Sequence, residues 1–114
     1  MSSNCIETTC HDGIKVVFTE EQWKLKCIKR PELRDESILS RIKEALEHPS
    51  FVYKDLADND RLVYYKLEYS VNGRNRYIKV VVSTENKPYF VITAYRPDYV
   101  KERGKTNLIY GKDN

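Results

Sequence analysis

One dipeptide constrains this chain more than any other feature: Asn72-Gly73, set between two long runs in which apolar and polar residues alternate. Asn-Gly is the strongest short signal for a two-residue type I′ hairpin, whose central residues both need positive φ. If Val71 faces Arg74, the pairing of the strands Arg61–Ser70 and Asn75–Ser83 follows by counting back from the turn. Lys66 then lies opposite Lys79, Tyr64 opposite Val81 and Glu68 opposite Tyr77. On the other face Val63, Tyr65 and Leu67 meet Val82, Val80 and Ile78. That second set is apolar, so it is the face expected to pack on helices. A further strand over Tyr89–Arg96 follows the turn residues Glu85-Asn86-Lys87-Pro88. It places Phe90, Ile92 and Ala94 on the core face, and Tyr89, Val91, Thr93 and Tyr95 beside Lys66 and Lys79 on the open face.

The preceding half reads differently. Residues 1–13 are polar and patternless and are expected to be a loose tail. Ile14–Phe18 is a short strand candidate. Thr19-Glu20-Glu21-Gln22 is a capping box that starts a helix running to about Lys29, with Trp23 and Cys27 on one face and Pro31 as its stop. A second helix begins behind Asp35 or Ser37. Its apolar stripe is Ile38, Ile42, Ala45 and Leu46, its opposite face carries Arg41, Lys43, Glu44 and Glu47, and His48-Pro49 closes it. Phe51–Lys54 is a short strand, Asp55–Asp60 an acidic loop and Thr106–Tyr110 a last edge strand. Helices followed by a meander predict an α+β fold, with N-terminal helices packed on one face of a four- to five-stranded antiparallel sheet. Residues 14–114 form a single domain in this reading.

The 114 residues suffice for one core. No apolar run approaches the roughly 20 residues of a membrane span. The N-terminus has neither a basic nor an apolar signal region, so a secretory signal is not expected. Three cysteines without framework spacing fit a reduced, cytoplasmic protein. Charge is uneven: residues 1–60 carry 9 Lys/Arg against 12 Asp/Glu, whereas residues 61–114 carry 11 against 5. All nine tyrosines fall between Tyr53 and Tyr110. A basic, Tyr-rich half suits a phosphate-bearing partner. The same composition also fits a plain sheet, where Tyr is favoured and Lys covers the solvent face.

The expected Lys66–Lys79 pair sharpens that choice. Like charges directly opposite on neighbouring strands cost a few tenths to about 1 kcal/mol. Either Glu68 neighbours both and the ammonium groups splay into water, or the pair is a phosphate seat flanked by Tyr64, Thr93 and Tyr95.

Several segments together resemble a known family. They are Glu47-His48-Pro49-Ser50-Phe51-Val52-Tyr53-Lys54-Asp55, Val63-Tyr64-Tyr65, Tyr77-Ile78-Lys79-Val80-Val81-Val82 and Val91-Ile92-Thr93-Ala94-Tyr95-Arg96, preceded by Trp23 and Arg30-Pro31-Glu32. In this order they resemble the phage-associated branch of the barnase–EndoU–colicin–RelE nuclease superfamily, over residues 21–112. The resemblance implies an RNase- or RelE-like α+β domain and a metal-independent endoribonuclease, without cofactor, serving as a toxin or a phage or mobile-element effector. It implies cleavage by attack of the RNA 2′-hydroxyl on the adjacent phosphate. RNA is the implied partner, with a cognate antitoxin or immunity protein beside it. The positions carried over are His48, Lys79, Thr93, Tyr95 and Arg96. The pattern supplies no second histidine and no glutamate base.

Such a reaction needs a base, an acid and cations for the phosphorane. His48 is the only histidine outside the tail, and its ordinary pKa of about 6.5 suits either proton role; it also suits a cation at a helix C-terminus. Lys79 and Lys66 can neutralise developing charge, and Arg96 can grip a phosphate in two places. Arg76 joins Lys66, Tyr64 and Arg96 as a substrate-binding candidate. Tyr64 and Tyr95 can stack bases or simply pack across strands, and Thr93 can bond a phosphate oxygen or simply favour a strand. Other clusters offer less. Cys5, Cys10 and His11 lack a fourth ligand, so no metal is expected there. Cys27 reads as a buried small hydrophobe, Asp55, Asp58 and Asp60 as a solvated loop, and Arg103-Gly104-Lys105 as a basic turn. The alternative to a nuclease is a non-catalytic module that binds RNA or protein on the same basic sheet face.

Overall fold

The computed structural model describes residues 3–29, 37–102 and 108–111. Arg30, Pro31, Glu32, Asp35 and the Arg103-Gly104-Lys105 turn lie outside the described residues, as does the side chain of Cys27.

Residues 4–9, expected in the loose tail, form the first strand, β1 (Asn4–Thr9). It pairs antiparallel with β2 (Lys15–Thr19) around the turn at Gly13, which has φ +88°. Polar side chains tie it to the rest of the fold: Ser3, just ahead of the strand, donates to Glu20, and the Thr8 hydroxyl donates to Glu47. Two helices follow, α1 (Glu20–Lys29) and α2 (Ile38–Glu47). The Thr19 hydroxyl accepts from the Gln22 backbone N–H at 3.2 Å, so half of the capping box forms. The Gln22 side chain does not reach back; it donates to the Ile92 carbonyl at 2.6 Å and ties α1 to the sheet. All four residues of the α2 stripe, Ile38, Ile42, Ala45 and Leu46, are buried. The remaining strands are β3 (Phe51–Lys54), β4 (Arg61–Val71), β5 (Arg74–Ser83), β6 (Tyr89–Tyr95) and β7 (Leu108–Tyr110).

These strands make one seven-stranded sheet in the order β1-β2-β6-β5-β4-β3-β7. The expected four- to five-stranded antiparallel sheet behind N-terminal helices is therefore corrected. A hairpin precedes the helices, and β2 joins β6 in parallel through Val16–Tyr89 and Val17–Phe90, which makes the sheet mixed. Parallel neighbours need a long crossover. Here everything from α1 to β5 forms that crossover, so no local pattern announces the pairing.

Asn72 and Gly73 have φ of 53° and 76°, and the turn sets Val71–Arg74, Ser70–Asn75 and Tyr69–Arg76 as counted from the sequence. Then the register shifts. Leu67 pairs with Tyr77 and Glu68 has no partner, a one-residue bulge. Beyond it Lys66 faces Ile78, Tyr65 faces Lys79 and Tyr64 faces Val80. Lys66 and Lys79 thus lie on opposite faces, and the two-lysine phosphate seat does not exist. The physical cause is visible at the bulge. The Glu68 carboxylate accepts from Arg96 Nε at 3.2 Å and lies 3.5 Å from Arg41 Nη1, so it is held from the end of β6 and from α2. A second bulge leaves Ile92 without a partner in β6.

The result is a core on each face. Toward the helices lie Phe18, Ile38, Ile42, Leu46, Val52, Tyr64, Ile78, Val80 and Val82. On the far face Tyr53, Val63, Tyr65, Tyr77, Val81 and Val100 cluster, with Ile92 and Tyr95 against them. Phe90, expected in the core, is exposed, and Tyr89 and Val91 take the helix face.

Because its side chain is almost fully covered, Glu68→Ala should leave Arg96 without its carboxylate and cost about 1–3 kcal/mol. Urea unfolding checks this; a loss under about 0.5 kcal/mol would mean that backbone geometry alone holds the bulge.

Candidate functional site

The far face carries the candidate site. After β6 the chain turns at Pro97, whose carbonyl accepts from the Tyr77 N–H at 2.9 Å, and runs back over the sheet to bury Val100 and Glu102. Between this segment and the loop at Asp55-Leu56-Ala57 lies a cavity of about 510 Å³. Its floor is Val63 and Tyr65 of β4, Lys79 and Val81 of β5, and Ile92, Thr93 and Tyr95 of β6. Its size falls in the range of small-molecule sites.

The register builds the centre of this floor. Lys79 pairs with Tyr65 on one side and with Tyr95 on the other. Its ammonium lies 5.5 Å from the centroid of the Tyr65 ring and 5.7 Å from that of Tyr95, within cation–π reach of both. Glu102 closes the cluster from above. Although only 4% exposed, it accepts from the Tyr65 phenol at 2.5 Å through Oε2 and lies 3.4 Å from Lys79 Nζ through Oε1. Burial, and then the bond to Glu102, push the Tyr65 phenol well above its ordinary value, so it stays a donor. Thr93 is 7% exposed, and its Oγ1 has no hydrogen-bond partner among the described residues. An unpartnered buried hydroxyl on a cavity floor is a place for a ligand atom. The cavity's lining holds four cations, Arg61, Lys79, Arg96 and Lys101, against the carboxylates of Asp55 and Glu102. Arg61 and Arg96 are paired in turn with Asp58 and Glu68, which stand outside the lining.

The residues singled out from the sequence divide cleanly. Lys79, Thr93 and Tyr95 meet in the cavity. Arg96 borders it, with its Nε engaged by Glu68. Tyr64 is fully buried on the helix face, edge-on to His11 at 5.9 Å, so it offers no base platform. Lys66 is on that same helix side, beside Arg41, Glu44 and Glu68. Arg76 stands toward the hairpin tip and donates to the Arg96 carbonyl at 3.2 Å. His48 is exposed at the end of α2, where its backbone N–H donates to Glu44, and it does not line the cavity. Two site residues were missed. Counting back from the Asn72-Gly73 turn puts Tyr65 on the helix face, and the bulge at Glu68 reverses that placement. Glu102 sits in the charged run Lys101-Glu102-Arg103, which carries no signal separating a buried carboxylate from a solvated one. Among the described residues no three His, Cys, Asp or Glu side chains gather as a metal site.

Compared with known protein families, curated proteins and solved structures, the chain finds no match. The site is therefore read from its own chemistry.

The phenols make one solution prediction. Tyr65 and Tyr64 have raised pKa values in the fold, both chiefly through burial, so the unfolded chain releases their protons first, near 10. Their contribution to stability is complete below about pH 10 and is lost as pH rises further. Each phenol steepens that loss by about 1.4 kcal/mol per pH unit. Urea unfolding between pH 9 and 11 should show a shallower decline for Tyr65→Phe than for the parent; equal slopes would mean that Tyr65 ionises freely in the folded protein.

Proposed function

We propose that this chain is an endoribonuclease-like domain that takes one nucleotide of an RNA strand into the far-face cavity and cleaves beside it without a metal. The observation that carries the reading is the meeting of Lys79 Nζ and the Glu102 carboxylate, 3.4 Å apart, on a cavity floor that also holds the unpartnered Thr93 hydroxyl. Glu102 supplies the base that the sequence pattern lacked. It takes the proton of the RNA 2′-hydroxyl as that oxygen bonds to phosphorus. The bond from phosphorus to the 5′-oxygen breaks, and Tyr95 gives the leaving oxygen its proton. Lys79 and Thr93 hold the phosphorane oxygens, whose negative charge exceeds that of the bound diester. A carboxylate has about four lone-pair positions, so Glu102 can accept from the 2′-hydroxyl while Tyr65 and Lys79 remain bound. The resemblance to the nuclease superfamily supports this reading through Lys79, Thr93 and Tyr95. His48 and Lys66, which stand elsewhere, have no part in it.

One observation favours binding without cleavage: Glu102 is nearly inaccessible and both its oxygens are already engaged. The two readings separate in one assay. RNA incubated with the protein and a chelator should acquire 2′,3′-cyclic phosphate ends. Lys79→Ala and Glu102→Gln, shown folded by circular dichroism, should each slow single-turnover cleavage about a hundredfold or more, and His48→Ala should not. If the parent does not cleave while Lys79→Ala weakens RNA binding and flattens its salt dependence by about one unit, the domain is a binder. If Lys79→Ala changes neither, both readings fail.

A further inference from the structure

The bulge in β6 changes what the far face presents. From Tyr95 back to Thr93 the strand alternates against β5, with Tyr95 facing Lys79 and Thr93 facing Val81. Unbroken alternation would then send Ile92 and Phe90 toward the helices. Instead Ile92 drops out of the ladder, Val91 pairs with Val82 and Phe90 pairs with Ser83. Ile92 therefore stays on the cavity floor, Tyr89 and Val91 fill the helix-side core, and Phe90 emerges on the far face, 42% exposed. We propose that the Phe90 ring is a stacking platform for the base next to the nucleotide held in the cavity, so that the ligand is at least a dinucleotide of single-stranded RNA. The inference rests on the cavity being an RNA site, whether or not it cleaves.

The bulge, rather than the exposure, carries the argument. A single apolar side chain in solvent is ordinary on a protein surface. A bulge that turns a large ring out of the core gives up its burial, and bulges are frequent beside functional sites, where they re-aim a side chain. The register fixes where this ring goes. β5 alternates without a break from Tyr77 to Ser83, so Ser83 shares the face of Lys79 and Val81, and Phe90 opposite Ser83 shares it too. Phe90 thus lies one step beyond Thr93 on the same face, about 7 Å along the sheet at the rise of a strand. A nucleoside attached to a phosphate on Lys79 and the Thr93 hydroxyl reaches that ring. Phe90 is outside the cavity lining, so a base on it does not compete with one inside. A flat ring in this position suits any base, since every base has a face to stack. On the side away from the cavity Val17 of β2 pairs with Phe90 and is buried beside it. Lys15, two residues earlier on the same face of β2, is exposed and makes no ion pair among the described residues, which leaves a cation for the outgoing strand. Glu7, opposite Val17 on β1, lies a strand farther from the ring and accepts from Asn4.

The test uses uncleavable probes bound to the full chain: a 2′-O-methyl uridine dinucleotide, and its two counterparts that each lack one of the bases. The parent should bind the intact dinucleotide about tenfold more tightly than the counterpart without the stacked base. Phe90→Ala, shown folded by urea unfolding, should abolish that difference by weakening only the intact probe. Phe90→Tyr, which keeps the ring, should keep the difference. Lys79→Ala should weaken every probe. Dinucleotide binding that needs Lys79 but not Phe90 would overturn the platform and leave the cavity reading standing. Binding indifferent to both residues would overturn both. A parent that sediments as a dimer, and that Phe90→Ala turns into a monomer with dinucleotide affinity unchanged, would make the ring a contact between copies of this chain and overturn the platform.

Discussion

Glu68 interrupts the ladder between β4 and β5, and most of what is distinctive in this molecule follows from that interruption. Two arginines reach its carboxylate, Arg41 from α2 and Arg96 from the end of β6. The exposed Arg41 contact adds little, because water screens it. The more covered Arg96 contact fixes both the bulge and the point where the chain leaves β6 for the roof of the cavity. One residue of slip reverses the faces of β4. Tyr65 goes to the far side, beside Lys79 and beneath Glu102, and Tyr64 goes into the helix-side core.

The far face then carries an expense that the helix face does not. Lys79 and Glu102 are drawn from water, and a buried ion pair repays its desolvation only with good geometry and further hydrogen bonds. The Tyr65 phenol and two aromatic rings supply part of that compensation. Apolar residues of similar volume would hold the 97–102 segment down at least as well. The polar cluster is thus weakly explained by stability and better explained by a ligand, and the unpartnered Thr93 hydroxyl on the same floor points the same way.

Reading the sequence found the elements whose signals are local. The α2 stripe is amphipathic on its own, and Asn72-Gly73 turns the chain as its backbone preferences require. Lys79, Thr93 and Tyr95 fell on one face because β5 keeps its alternation and the end of β6 pairs directly with it. Leu62-Val63-Tyr64-Tyr65 could not be oriented the same way. A run that is apolar on both faces satisfies either core, so its pattern does not fix the register. β1 was missed because Ile6 is its one buried apolar residue. The parallel partnership of β2 with β6 joins residues more than seventy positions apart, beyond any periodicity.

The central claim is that ligand chemistry belongs to the far face around Lys79 and not to the helix-side surface that holds Lys66 or to the α2 terminus that holds His48. Amide and side-chain NMR shifts of the labelled protein, followed while the 2′-O-methyl dinucleotide is added, test this most directly. The account predicts that Lys79, Thr93, Tyr95 and Glu102 move together and saturate together, while Lys66 and His48 stay still. Saturable shifts centred on Lys66 or His48, with the Lys79 cluster unmoved, would contradict it.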